Sequence, residues 1–376
     1  MIPNIEEVRR TRVDHARRRI SALRERHDGR TLVLSSVGAV AWATGGVSEP
    51  IDRVAGVDPV WVVVRDAGTT LVVSSVEVPR LTAESSAHGL DFEIVGAPWF
   101  EPRGHADAVE RIVGAPLATC LADGGEGEDV TTELIGARLA LGTGEVAVLS
   151  ALAGVATGAV EGAAHAWRPG VSTDRDVAAL VQADLERAGA EAVCLIVGGD
   201  DRVRSFRHPL AGGRPVASLL MVVVVARYQG LHVALTRLAA TQRDERLEER
   251  LALCDEIHQA VLDATRRGVT WGDAYRALGD AYGRAGAPDA WREHFQGGPI
   301  GYAQREFELA PTSSASPWWS ETVDTATAVA WNPSLSGGAK IEDTYLVDED
   351  GLRLLTDGGG WPRRAGPRSG AAVWVR

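Results

Sequence analysis

The feature that most constrains this chain is a change of texture near Gly144. Before it, short β-branched runs alternate with turn residues. After it comes an Ala-rich helical stretch over 146–167, closed by Arg168-Pro169-Gly170, a combination that cannot continue a helix. A chain of 376 residues is long for one hydrophobic core and comfortable for two. The break therefore reads as a seam between two domains, expected at 1–140 and 145–376.

The first part reads as a small α/β domain. Val13, Ala16, Ile20 and Leu23 form one apolar stripe at helical spacing, so a helix is expected over Ile5–Arg26, its arginines forming a solvated face rather than a binding patch. Strand-like runs follow at 31–36, 60–64 and 70–73, separated by turn residues. In the second part, Ser172 and Thr173 open a helix running to about 188, with Asp176 in its first turn. Strands at 193–197 and 219–226, helices at 244–267 and 271–285, and a final strand pair at 326–330 and 339–347 make a larger α+β domain.

Composition removes several classes of function. Basic residues number 39 against 51 acidic, a net charge of −12, which argues against a nucleic-acid partner or an anionic membrane surface. Cys120, Cys194 and Cys254 are odd in number and lack CxxC spacing, so neither a disulfide framework nor a thiolate zinc site is expected. The N-terminal stretch is Arg-rich with no apolar segment behind it, and no apolar run is read as long enough to span a bilayer, so a cytoplasmic protein is expected. Among all the basic residues Lys340 is the single lysine. Its survival in so arginine-biased a chain marks it as a residue kept for a reason.

Four stretches carry a family likeness. Val40-Ala41-Trp42-Ala43-Thr44-Gly45-Gly46 is similar to a strand-to-turn segment, and Ala164 to Asp176 (AHAWRPGVSTDRD) to a helix junction, of the creatinase/aminopeptidase P superfamily. Arg227-Tyr228-Gln229-Gly230 with Leu235-Thr236-Arg237 resembles the hairpin "EYkGYxxDITRT", and Ile341-Glu342-Asp343-Thr344-Tyr345-Leu346-Val347 resembles "riEDtvlV". The order and separations match across nearly the whole chain. The resemblance implies an α+β fold: a small N-terminal creatinase-like α/β domain followed by a C-terminal pita-bread domain. It also implies a homodimer.

Hydrolytic members of that superfamily hold two divalent metals with two Asp, one His and two Glu. Carried over, the two Asp positions fall on Val223 and Ala234, the His on Gly298 within Gly297-Gly298-Pro299-Ile300-Gly301, and the first Glu on Asn332. Only Glu342 keeps its carboxylate. Two divalent ions need carboxylate and imidazole donors around both, so no metal and no other cofactor is expected.

The residues that could carry chemistry are few. His208 resembles the family's substrate-side histidine and suits general acid/base work, or it is a surface histidine on a loop ending in Pro209. Lys340 and Glu342 lie two apart in an expected strand and so project from one face, as a catalytic acid/base pair or as a structural ion pair. Arg305 occupies the place of a second, substrate-binding histidine and would hold a substrate carboxylate, or would pair with Glu306 or Glu342. Asn332, Tyr302, His232, Tyr228 and Trp331 are candidate pocket walls, as are Trp318 and Trp319; each aromatic could equally be core. No GxSxG elbow, P-loop or GxGxxG fingerprint is present.

The creatine amidinohydrolase branch of the superfamily, which works without metal, resembles this chain in carrying Ala at the second Asp position. It departs at Thr236, where that branch has Glu, and at Gly298, where it has His. The expected function is a metal-independent enzyme acting on a small amide-, amidine- or amino-acid-like molecule, within secondary metabolism. The alternative is a non-catalytic pseudopeptidase binding a peptide or small ligand.

Overall fold

The computed structural model describes residues 5–46, 57–87, 90–324, 326–366 and 368–376, which divide into two compact units, Met1–Val148 and Leu149–Arg376.

The first unit runs α1 (Ile5–Arg26), β1 (Leu32–Ser36), α2 (Val37–Thr44), β2 (Val57–Arg65), β3 (Gly68–Ser74), α3 (Val78–Ala87), β4 (Glu93–Ala97), α4 (Gly104–Val113), β5 (Leu121–Ala122), β6 (Glu128–Asp129) and α5 (Thr131–Leu139). Its mixed sheet has the order β4-β3-β2-β1-β5-β6. Val33, Val63 and Val72 on one face pack against Ala108 and Val109 of α4, so burial of β-branched side chains fixes which way the strands face. The segment from Val37 to Thr44, read from the sequence as a strand-to-turn unit, is a helix. Ser36 caps it by accepting from the Ala39 amide, and Gly45 closes it at φ 64°, with its Cβ position only 3.0 Å from the Arg9 carbonyl oxygen.

Helix α6 (Thr143–Ala166) contains the division between the units. It is long and apolar enough to cross a membrane by length and composition, against the expectation that no apolar run reaches that length. It is a core helix: 56% of its most apolar stretch is buried, and Glu161 near its end pairs with Arg237 at 2.9 Å.

The second unit continues with α7 (Asp174–Arg187), β7 (Glu191–Gly199), α8 (Asp201–Ser205), β8 (Leu219–Tyr228), β9 (Leu231–Ala240), α9 (Glu245–Ala264) and α10 (Trp271–Arg284). β10 (Gly297–Pro299), β11 (Thr327–Trp331), β12 (Ser334–Leu335), β13 (Ala339–Lys340), β14 (Asp343–Asp348), β15 (Gly351–Leu354) and β16 (Trp374–Val375) complete it. Thr173 and Asp176 form a reciprocal capping box on α7. One four-stranded sheet has the order β16-β9-β8-β7, a second has the order β10-β11-β14-β15, and β12 pairs with β13 alone. β8 and β9 are joined by Gln229 and Gly230, both at positive φ (49° and 80°), as a tight two-residue hairpin requires.

The two sheets are tied through β9. The Ala234 amide donates to Thr344 Oγ1, which itself donates to the Ala234 carbonyl, both at 2.8 Å, and the Thr236 amide donates to the Glu342 carbonyl at 2.9 Å. Beside this seam Arg237, fully buried, binds Asp343 at 2.8 Å and Glu161 at 2.9 Å, and Asp343 also accepts from Arg363 at 3.1 Å. The strand expected over 339–347 is two strands. Ile341 and Glu342 leave the ladder where the Glu342 carbonyl turns to Thr236.

Candidate functional site

The wall of the site follows from strand register. Cys194 faces Val225, Ile196 faces Val223, Val223 faces Thr236 and Val225 faces Ala234, so these side chains share one face of the β7-β8-β9 sheet. Opposite them lie residues of β10, β11 and β13 and the loops that flank them. Between the two is a cavity of about 430 Å³, lined by Leu195, Ile196, Val223, Val225, Ala234, Leu210 and Phe295 along its apolar side. His208, His294, Asn332, Lys340, Glu342 and Arg305 line the rest. Its volume lies in the range of small-molecule sites.

Local packing sets each polar group. His208 is carried by the loop after α8, which lies directly on β7: a Cβ at Gly198 would fall 2.6 Å from Pro209 Cβ, so glycine is what permits the approach. Glu342 is almost fully buried, with Oε2 accepting from Thr236 Oγ1 at 2.7 Å and Oε1 from Asn332 Nδ2 at 3.1 Å. Asn332 Oδ1 is buried without a hydrogen-bond partner, an acceptor left over at the cavity wall. His294 is held through Gln296, whose Nε2 donates to the His294 carbonyl at 2.6 Å and whose Oε1 accepts from Tyr282.

Lys340 does not pair with Glu342. Its side-chain nitrogen lies 3.0 Å from His294 Nε2, which accepts when Lys340 carries its charge, leaving the proton of a neutral ring on Nδ1. Burial pushes the Lys340 amine below the usual lysine range, and the Glu342 carboxylate offsets this only in part. His294 is pushed down to about 2, by burial first and by Lys340 second, and its ring lies 4.9 Å from that of His208. Burial, then the Lys340 charge, lowers His208 as well, so its imidazole is neutral at pH 7. Cys194 shifts the other way, its thiol raised by burial and by Glu342.

Arg305 stands at the mouth. It is exposed, its guanidinium lies 4.3 Å over the Phe295 ring, and its nearest carboxylate is Glu308 at 3.9 Å, rather than Glu306 or Glu342. Leu210 and Phe295 are likewise exposed, giving the mouth an apolar rim.

Other expected wall residues lie outside the cavity lining. His232 Nδ1 donates to the Gly301 carbonyl at 2.9 Å, and Tyr302 is buried with its amide donating to Glu306 at 2.7 Å. Trp331 is core: its Nε1 donates to Thr265 Oγ1 at 3.0 Å and its ring meets Tyr275 edge-on. Tyr228 accepts from Gln229 at the hairpin turn. Trp318 stacks on Phe307, and Trp319 lies beneath Arg276. Nothing in the sequence singles out His294, whose partner Lys340 is 46 residues away.

The superfamily implies two divalent ions, and the residues here do not fit them. Val223 and Ala234 present hydrocarbon. At Gly298, where a histidine would be needed, φ is 139° and a Cβ would lie 2.5 Å from the Tyr275 hydroxyl, which occupies that space and donates to the Gly297 carbonyl. Glu342 and the amide of Asn332 remain. Among the described residues no group of three or more His, Cys, Asp or Glu side chains is placed to hold an ion. Two basic side chains, Lys340 and Arg305, line the same cavity instead.

Two sheets with helices packed against them, carrying this cleft, define a pita-bread protein of the creatinase/aminopeptidase P superfamily. Residues 148–349 match the model of metallopeptidase family M24, and the chain belongs to that family. Its fold is similar to that of the prolidase from Pyrococcus horikoshii, at 16% identity and a TM-score of 0.71, over 92% of this chain and 98% of that one. It is similar to the Xaa-Pro dipeptidase from Bacillus anthracis, at 17% identity and a TM-score of 0.72, over 97% and 100%. It also resembles the N-terminal domain of the FACT complex subunit SPT16 from Cicer arietinum (chickpea), at 12% identity and a TM-score of 0.65, over 96% and 97%. No curated protein sequence matches it significantly.

Proposed function

We propose that the chain is a metal-independent enzyme that acts on a C–N bond of a small amide-, amidine- or amino-acid-like molecule in the cavity between the two sheets. The observation that carries this reading is the convergence of His208, Lys340, Glu342, Asn332 and Arg305 on one cavity whose remaining wall is apolar. His208, neutral at pH 7, takes the proton from an attacking water. Glu342, steadied by Thr236 and Asn332, accepts from substrate N–H groups together with the spare Asn332 Oδ1. The Lys340–His294 pair returns a proton to the departing nitrogen, and Arg305 holds a substrate carboxylate at the mouth. A cytoplasmic homodimer is part of the same reading.

The test is a thermal-shift screen of small amides, amidines and N-acyl amino acids, followed by mass-spectrometric assay of each hit for turnover in the presence of a chelator. Turnover that survives the chelator, falls at least about 100-fold in His208→Ala and shows a raised KM in Arg305→Ala is expected, the first from the usual worth of a general base. Hits that bind without reacting would favour a non-catalytic pseudopeptidase instead. No hits at all would remove the small-molecule enzyme.

A further inference from the structure

Lys340 is chemically exceptional here. It is the single lysine of the chain and is 5% exposed. Lysines are almost never buried to this degree without a carboxylate partner, because an uncompensated ammonium loses its hydration. Among the described residues its one hydrogen-bond partner is a neutral imidazole, His294 Nε2 at 3.0 Å, while the carboxylate two residues away turns to Thr236 and Asn332. The amine nevertheless lines the cavity, beside a wall that begins with Ile196, Val223 and Ala234. A desolvated amine that lines a cavity with one apolar wall and has a histidine as its hydrogen-bond partner is arranged as a nucleophile rather than as half of an ion pair.

We propose that Lys340 captures the carbonyl group of a small 2-oxo acid with an apolar side chain as an imine. The carboxylate is met by Arg305 and the side chain by the apolar wall. The step balances without a further reactant. The Nζ lone pair attacks the carbonyl carbon, one Nζ proton ends on the carbonyl oxygen, and the resulting hydroxyl leaves with the second Nζ proton as water, forming the C=N bond. His294, by accepting one N–H, turns the lone pair towards the cavity and acts as a positioning residue. The inference rests on the cavity being a ligand site, as proposed above, and goes beyond it by making the site covalent.

A single lysine makes the experiment direct. The full-length protein is incubated with phenylpyruvate and sodium cyanoborohydride, denatured, and digested with a lysine-specific endoprotease, which has one cleavage site, after Lys340. The expected result is one added equivalent per chain and loss of the cut that otherwise separates residues 1–340 from 341–376. Excess phenyllactate should protect, and His294→Ala should slow adduct formation at least tenfold at saturating phenylpyruvate, where a change in binding alone has no effect. Peptide mapping of the wild-type adduct locates it even if Lys340→Met fails to fold. An adduct confined to the N-terminal amine, or an undiminished cut, overturns the inference. If phenyllactate still binds in that case, the ligand site survives and only the covalent step falls; if it does not bind, the ligand site falls too.

Discussion

Replacing Asp343 by alanine should unfold the second unit at markedly lower denaturant, and the size of the effect follows from what the carboxylate holds. Asp343 is fully buried and accepts from Arg237 at 2.8 Å, from Thr356 Oγ1 at 2.8 Å and from Arg363 at 3.1 Å. Burial alone would raise its pKa, yet the Arg237 and Arg363 charges hold it below the ordinary carboxylate range. Its contribution is therefore present above pH 3.8 and lost as pH falls through the depressed native value. Removing it leaves the Arg237 guanidinium, with no exposure, only Glu161 as counter-charge. Breaking a buried pair in this way costs about 4 kcal/mol. With a urea slope of roughly 3 kcal/mol per molar, the midpoint should fall by about 1.3 M. Urea titration followed by tryptophan fluorescence measures it, with Arg353→Ala, which removes an exposed partner of Asp348 at 3.9 Å, as the control that should change little. A fall below about 0.3 M for Asp343→Ala, the level of an exposed pair, would refute the reasoning.

Three further outcomes follow. Gly298→Ala should cost about 2 kcal/mol, from strain at φ 139° and contact with the Tyr275 hydroxyl, and a variant as stable as wild type in urea would show that Tyr275 does not bar a side chain there. Trp331→Phe should lose about 1 kcal/mol with its Thr265 hydrogen bond and leave ligand affinity unchanged; a changed Kd would place the ring at the cavity after all. His258 is fully buried, and burial pushes it down to about 4. It is neutral in the native state, so the unfolded chain takes up the proton first. Stability should be intact above pH 6.5 and should fall by about 3 kcal/mol on approaching pH 4, a loss absent in His258→Phe.

Much of this architecture is legible in the sequence because it rests on local periodicity and caps. The stripe of Val13, Ala16, Ile20 and Leu23 marks α1, and Thr173 with Asp176 marks the start of α7. Legibility fails where the pattern is uniform or the determinant is distant. The run VGAVAWAT is apolar all round, so it shows no helical period, and its helix is fixed by the Ser36 cap and the Gly45 close. The break at Ile341 and Glu342 depends on hydrogen bonds to Thr236, over a hundred residues earlier. The same holds for the site. Motif positions point to His208, Arg305, Asn332 and Glu342 and the rarity of lysine to Lys340, all of which line the cavity, whereas nothing local to His232, an expected wall residue, shows that Gly301 takes up its ring. The pairing of Lys340 with His294 had no local signal at all.

The central claim is that this cleft works with its own side chains instead of metal ions, and metal content tests it most directly. Protein purified without chelator should carry well under one equivalent of manganese, cobalt, zinc or iron by elemental analysis, and titration with those ions should leave its melting temperature unchanged. Two equivalents of bound metal, or a stabilisation lost in Glu342→Gln, would contradict the account and return the chain to the metal-dependent chemistry of its family.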